Sequence, residues 1–194
     1  MSQRIGLFGG TFDPVHHGHI SIAESFLKTD HIDQLWVLLT PYPPHKQQDH
    51  KTSYEKRLDM LKAAFSGFDN LSIKTIENRL PKPSYTVQTV RYLKKEHPDY
   101  TFYFCMGEDS LSQFHTWKFY QEILEECDLL VANRPGVTHE DVEPQILSHT
   151  HFVDHNPLDI SSSEIRELAK AGKAYENFVP DNVAKIIDKE QLYS

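Results

Sequence analysis

The chain has 194 residues, 39% of them apolar and 25% charged, proportions that exclude disordered and fibrous classes and suit one folded domain. A formal charge of -8 argues against a nucleic-acid partner, which needs clustered Lys and Arg, although a local pocket on an acidic protein can still hold a small phosphorylated ligand. No apolar run approaches the roughly 20 residues that cross a bilayer, so no membrane partner is expected.

Arg4 to Phe8 reads as a strand that runs into Gly9-Gly10, and Ile20, Ala23 and Leu27 then keep helical spacing through Lys28. This start lacks the apolar core of a signal peptide, and a cytoplasmic location is expected. Gln34 to Leu39 is a near-continuous apolar run, the pattern of a strand covered on both faces. Thr40 to Lys51 holds three prolines and reads as a loop. Thr52-Ser53-Tyr54-Glu55 resembles a capping box, with Tyr54, Leu58, Leu61 and Phe65 recurring at helical intervals behind it.

Leu71 to Ile76 reads as a third strand, Val87, Val90 and Leu93 mark a helix ending before Pro98, and Tyr100 to Met106 is a fourth, aromatic strand. Trp117 to Cys127 has helical spacing and Asp128 to Ala132 makes a fifth strand. A helix is expected after Pro135-Gly136, then a short strand from His151 to Val153 and two closing helices, Ser161 to Ala171 and Pro180 to Lys189. Cys105 and Cys127 lack C-x-x-C spacing and read as buried thiols in a reducing compartment.

Strands alternating with helices of this length predict an α/β, Rossmann-like, mostly parallel sheet with helices on both faces. One domain is expected over 1–194, with 161–194 as its helical C-terminal part. Right-handed crossovers gather the strand exits and helix starts on one edge, where ligands of such sheets bind.

Gly9-Gly10-Thr11-Phe12-Asp13-Pro14-Val15-His16-His17-Gly18-His19 falls on that edge. It is neither G-x-G-x-x-G nor a P-loop. Its two glycines let a phosphate approach the backbone, and a helix starting near Gly18 offers free N-H groups and a positive dipole end. His16 and His19, three apart, can face one side and donate to one phosphoryl group. A zinc site would need further ligands at defined spacing, and none is near.

This segment resembles the signature of the HxGH nucleotidyltransferases, residue for residue over His16-His17-Gly18-His19. Far downstream, Ile160-Ser161-Ser162-Ser163-Glu164-Ile165-Arg166 would alone read as an ordinary helix cap followed by a surface arginine. It is, however, similar to the I-S-S-T-x-I-R pattern of the same superfamily, with Ser163 keeping the hydroxyl of Thr. The resemblance implies that Ser162 and Arg166 contact the ATP phosphates opposite His16 and His19. It makes His16, His19 and Arg166 the candidate catalytic set, and Gly9, Gly10, Thr11, Phe12, Gly18, Gly107, Asp109, Arg134, Ile160 and Ser161 the remaining ATP-binding candidates. Asp13 and Arg57 match family positions too and read as support for the loop and helix. Arg134, in Asn133-Arg134-Pro135-Gly136, reads equally as a turn with an exposed arginine.

The acceptor has to be chosen separately. Pro43-Pro44-His45-Lys46 resembles a loop of bacterial nicotinate mononucleotide adenylyltransferases, where stiff prolines would hold Lys46 over a phosphate; an exposed charged loop is the alternative. The resemblance implies that Trp117 stacks on a pyridine ring, that Thr86, next to Tyr85, helps bind its carboxylate, and that Asp109 takes ribose hydroxyls. Many relatives have Trp-Tyr where this chain has Trp117-Lys118.

The implied activity is transfer of AMP from ATP to nicotinic acid mononucleotide, giving nicotinic acid adenine dinucleotide and pyrophosphate, with Mg²⁺ held mainly by substrate and water. A same-fold transferase acting on nicotinamide mononucleotide or phosphopantetheine, and a non-catalytic nucleotide sensor, are the alternatives. A homo-oligomer is compatible with the sequence.

Overall fold

A computed structural model of the chain describes residues 2–41, 52–81, 84–134 and 136–193. Six strands, β1 (Arg4–Gly10), β2 (Gln34–Leu39), β3 (Leu71–Lys74), β4 (Thr101–Gly107), β5 (Asp128–Asn133) and β6 (Thr150–Asp154), form one parallel sheet in the order β3-β2-β1-β4-β5-β6. The expected α/β, Rossmann-like architecture is the one found. Chain order reverses between β1 and β4, so a crevice opens at their carboxyl ends.

Side-chain alternation along the strands divides the interior in two. Ile5, Leu7, Trp36, Leu38, Phe104, Leu129 and Val131 face one layer of helices. Phe8, Leu35, Val37, Leu39, Cys105, Leu130 and Ala132 face the other. The second layer consists of α1 (His17–Leu27) and α2 (Tyr54–Ala64), joined by the late helices α7 (Ser162–Lys170) and α8 (Asp181–Lys189). On the first lie α3 (Thr86–Glu96), α4 (Glu108–Ser112), α5 (Tyr120–Glu126) and α6 (Pro144–Ser148). Burial on both faces explains why the central strands read as unbroken apolar runs.

Several boundaries depart from the expectations. The cap of α2 is Ser53, whose side chain accepts from the Lys56 N-H, so Thr52 is not the cap of a Thr-x-x-Glu box. β3 stops at Lys74, where its ladder with the edge of β2 ends, and Ile76 turns into a 3-10 helix over Ile76–Arg79. The helix expected from Trp117 begins at Tyr120, because Phe119 takes a left-handed φ of 63° after a 3-10 turn over Phe114–Thr116. Following Gly136 the chain stays irregular until the short α6. Both cysteines are buried free thiols.

Candidate active site

The chain leaves β1 through Gly9-Gly10 and reaches α1 by a tight route: Phe12 has a φ of 48°, the Asp13-Pro14 bond is cis, and His16 is the N-cap of the helix. A side chain at Gly10 would meet the Phe12 ring at 2.7 Å, so the strand end and the buried phenyl ring occupy one space. That ring meets His19 edge-on, 4.9 Å between centroids, and the His16 and His19 rings lie 3.7 Å apart. Gly18 is required by the pair: a Cβ there would be 3.0 Å from both Nδ1 and Cε1 of His16.

Hydrogen bonding fixes the proton on His19. The His16 backbone N-H donates to His19 Nδ1 at 3.3 Å, so a neutral ring carries its hydrogen on Nε2 and can donate from there. Burial, with His17 nearby, holds His16 down to about 4, and burial with His16 beside it holds His19 well below an ordinary imidazole. Both are neutral donors near pH 7. Nδ1 of His16 is buried and has no partner among the described residues.

The second motif meets this loop from the far side. Ser162 donates its hydroxyl to Pro14 O at 2.9 Å, and Arg166 donates to Asp13 O at 2.7 Å and to Ser163 Oγ at 3.1 Å. Ser161 caps α7 by accepting from the Glu164 N-H. A cavity of about 320 Å³ lies between the motifs, its wall including His16, Gly18, His19, Gly107, Asp109, Arg134, Ile160, Ser161 and Ser162. Segments near the beginning of the chain and near position 162 therefore share one cleft. Gly9, Gly10, Thr11, Phe12 and Arg166 are not part of its wall. Phe12 is 2% exposed, which leaves its backbone alone to meet a ligand, and the Arg166 guanidinium is turned onto the loop.

Arg134 pairs with Asp109 at 2.7 Å on the cavity rim. The other half of the expected site lies on the α3 and α5 side of the sheet. Trp117 packs edge-on against Phe104 at 5.7 Å, and Lys118 sits 4.6 Å over the Tyr85 ring and donates to its hydroxyl at 3.4 Å. Thr86 opens α3 beside them. None of these four lines the 320 Å³ cavity. Pro43, Pro44, His45 and Lys46 lie outside the described residues.

Sequence reasoning missed several residues that hold the cleft together. Glu108, 4% exposed, accepts the Arg134 N-H at 2.7 Å and lies 2.7 Å from His139 Nε2. Tyr193 donates to Asp13 Oδ1 at 2.7 Å. His155 is buried in the cavity wall. No periodicity or motif marks them, since each acquires its partner only in the tertiary fold. Arg57, expected as support, donates to the carbonyls of Thr11, Thr40 and Pro41 and so ties the exits of β1 and β2.

Comparison with known proteins places the chain among relatives of one kind. The cytidylyltransferase-like family model matches residues 7–168. A protein of Flavobacterium johnsoniae named "Probable nicotinate-nucleotide adenylyltransferase" is 36% identical over 98% of this chain and 99% of its own. One of Geobacillus thermodenitrificans with the same name is 38% identical over 98% of this chain and 86% of its own. Among solved structures, Plasmodium falciparum nicotinic acid mononucleotide adenylyltransferase complexed with NaAD shares the fold with a TM-score of 0.82, at 20% identity over 98% of this chain and 97% of that one.

Proposed function

The chain belongs to the cytidylyltransferase-like family, and from that premise we propose that it is a nicotinate-nucleotide adenylyltransferase of NAD biosynthesis, moving AMP from ATP to nicotinic acid mononucleotide. The observation that carries the reading is the single cavity shared by the His16 and His19 pair and the serine turn of α7.

An oxygen of the mononucleotide phosphate attacks the α-phosphorus of ATP; a new P-O bond forms there, the bond to the β-phosphate oxygen breaks, and pyrophosphate leaves with the electron pair. A phosphate monoester is ionised near neutrality, so no general base is required. What the step needs is alignment and neutralisation of charge. His19 donates from Nε2 to the phosphoryl oxygens, and His16 beside it in the cavity wall donates likewise from Nε2, its Nδ1 being buried. The Ser161 hydroxyl and the free backbone N-H groups of the first turn of α7, that of Ser162 among them, hold the leaving pyrophosphate, while the Ser162 hydroxyl stays on Pro14 O. Arg166 adds positive charge while fixing the loop that carries the histidines.

Gly107, Asp109, Arg134 and Ile160 take the adenosine side, and Gly9, Gly10, Thr11 and Phe12 offer backbone to the phosphates. Trp117, Tyr85, Thr86 and Lys118 take the pyridine nucleotide, with Lys46 on its phosphate. The carboxylates of the cavity are already engaged, Asp109 by Arg134 and Glu108 by the Arg134 N-H, which fits a hard cation held mainly by phosphate oxygens and water. Mg²⁺ bound there would neutralise the triphosphate. One catalytic unit over 1–194 accounts for both halves of the site, 161–194 supplying the phosphate turn, and the enzyme works in the cytoplasm.

Pyrophosphate release from ATP, measured side by side with nicotinic acid mononucleotide, nicotinamide mononucleotide and phosphopantetheine, tests the reading. The nicotinate substrate is expected to give the highest kcat/KM. Preference for phosphopantetheine, or ATP binding without pyrophosphate from any acceptor, would refute it.

A further inference from the structure

The wall of the cavity contains one buried polar ring that the mechanism leaves unused. His155 follows β6, is 6% exposed, and is anchored by its backbone N-H on Asn133 O at 3.2 Å. Its Nδ1 lies 3.0 Å from Ser25 Oγ. The Ser25 hydroxyl is itself 3.0 Å from the Ser21 carbonyl, a group that can only accept. A serine has one hydrogen, and if it goes to Ser21 O, the 3.0 Å contact with His155 is satisfied only by an Nδ1-H donating to Ser25 Oγ. The other nitrogen, Nε2, then carries a lone pair and has no partner among the described residues.

Position suits this acceptor to the base of the nucleotide. Ser25 is six residues beyond His19 on α1, which at 1.5 Å per residue places it about 9 Å along the helix from the phosphate-facing pair. The cavity wall at that side carries Ala132, Pro157, Leu158 and Ile160, apolar surfaces for a flat ring. Burial, with Arg134 nearby, holds His155 below an ordinary imidazole, favouring the uncharged ring.

We propose that His155 reads the purine: held in its Nδ1-H form by Ser25, it presents Nε2 as an acceptor to an exocyclic amino group and so selects ATP over nucleotides with a carbonyl oxygen at that place. Adenine offers a donor there, whereas hypoxanthine and guanine offer an acceptor. The assignment rests on the reading of the cavity as the ATP site.

The test compares ATP and ITP, which share sugar and phosphates. His155→Ala is expected to lower kcat/KM for ATP about 5- to 10-fold, the effect of one neutral hydrogen bond, with little change for ITP. Ser25→Ala, which leaves the imidazole in place but frees its tautomer, narrows the ATP to ITP ratio in the same direction by a smaller factor. Nitrogen-15 spectra of the histidine rings, assigned by loss of one signal in His155→Ala, report the tautomer directly, and a protonated Nδ1 is expected. Equal loss for ATP and ITP, or a proton found on Nε2, overturns the proposal. Wild-type protein that makes no pyrophosphate from ATP would instead overturn the adenylyltransferase reading, while the tautomer remains readable in the spectrum.

Discussion

A methyl group at position 18 would lie 3.0 Å from both Nδ1 and Cε1 of His16, about 0.5 Å inside a comfortable carbon contact. His16 has nowhere to retreat, since it is 6% exposed and the centroid of the tilted His19 ring lies 3.7 Å from its own. Gly18→Ala therefore displaces the pair rather than one ring. Gly18 sits in the first turn of α1 without a positive φ, so alanine also gains about 0.5–1 kcal/mol of helix propensity, which offsets the cost of the shift. Tm is expected to stay within about 3 °C of wild type. Because misplacement by about 1 Å costs on the order of 100-fold, kcat is expected to fall about 10- to 100-fold. The assay is continuous pyrophosphate release at saturating ATP and nicotinic acid mononucleotide, beside a thermal melt of the same preparation. A kcat within about twofold of wild type at unchanged Tm would refute the argument that the histidines need their observed spacing.

His19→Ala removes the Nε2 donor and is expected to lower kcat about 100-fold or more with folding intact; wild-type turnover would remove His19 from the mechanism. Glu77 is buried between Thr89 and Thr40, and burial pushes its carboxyl up to about 7. A raised carboxyl pKa favours folding below the unfolded value and loses that contribution as pH rises through about 7. Glu77→Gln, which keeps an acceptor, is therefore expected to raise Tm relative to wild type at pH 8 and not at pH 4.5, as calorimetry at the two pH values can check. Arg57→Lys keeps the charge but not the fork that meets the carbonyls of Thr11, Thr40 and Pro41. A loss of about 2 kcal/mol is expected in urea unfolding.

Legibility followed the range of the forces involved. β2 was readable to the residue because both its faces are buried, so its apolar run begins and ends with the strand. The ends of β3 and α5 were not, since one depends on the length of a neighbouring strand and the other on a left-handed Phe119 that no glycine announces. The meeting of His16, His19 and Ser162 at one cleft was readable because helix-start chemistry is local and two such starts carried recognisable patterns. Glu108 and His155 looked like any acidic or loop residue; their meaning comes from an Arg134 N-H and a Ser25 hydroxyl brought in from distant parts of the chain.

The loop from Thr11 to Pro14 is gripped by Ser162, Arg166 and Tyr193 across sequence separations of 148, 153 and 180 residues. Contacts of such span close late in folding, because the intervening chain must be ordered before they form. During refolding, pyrophosphate production should therefore trail the recovery of helical circular dichroism. The reaction itself would serve as the clock for completion of the native state.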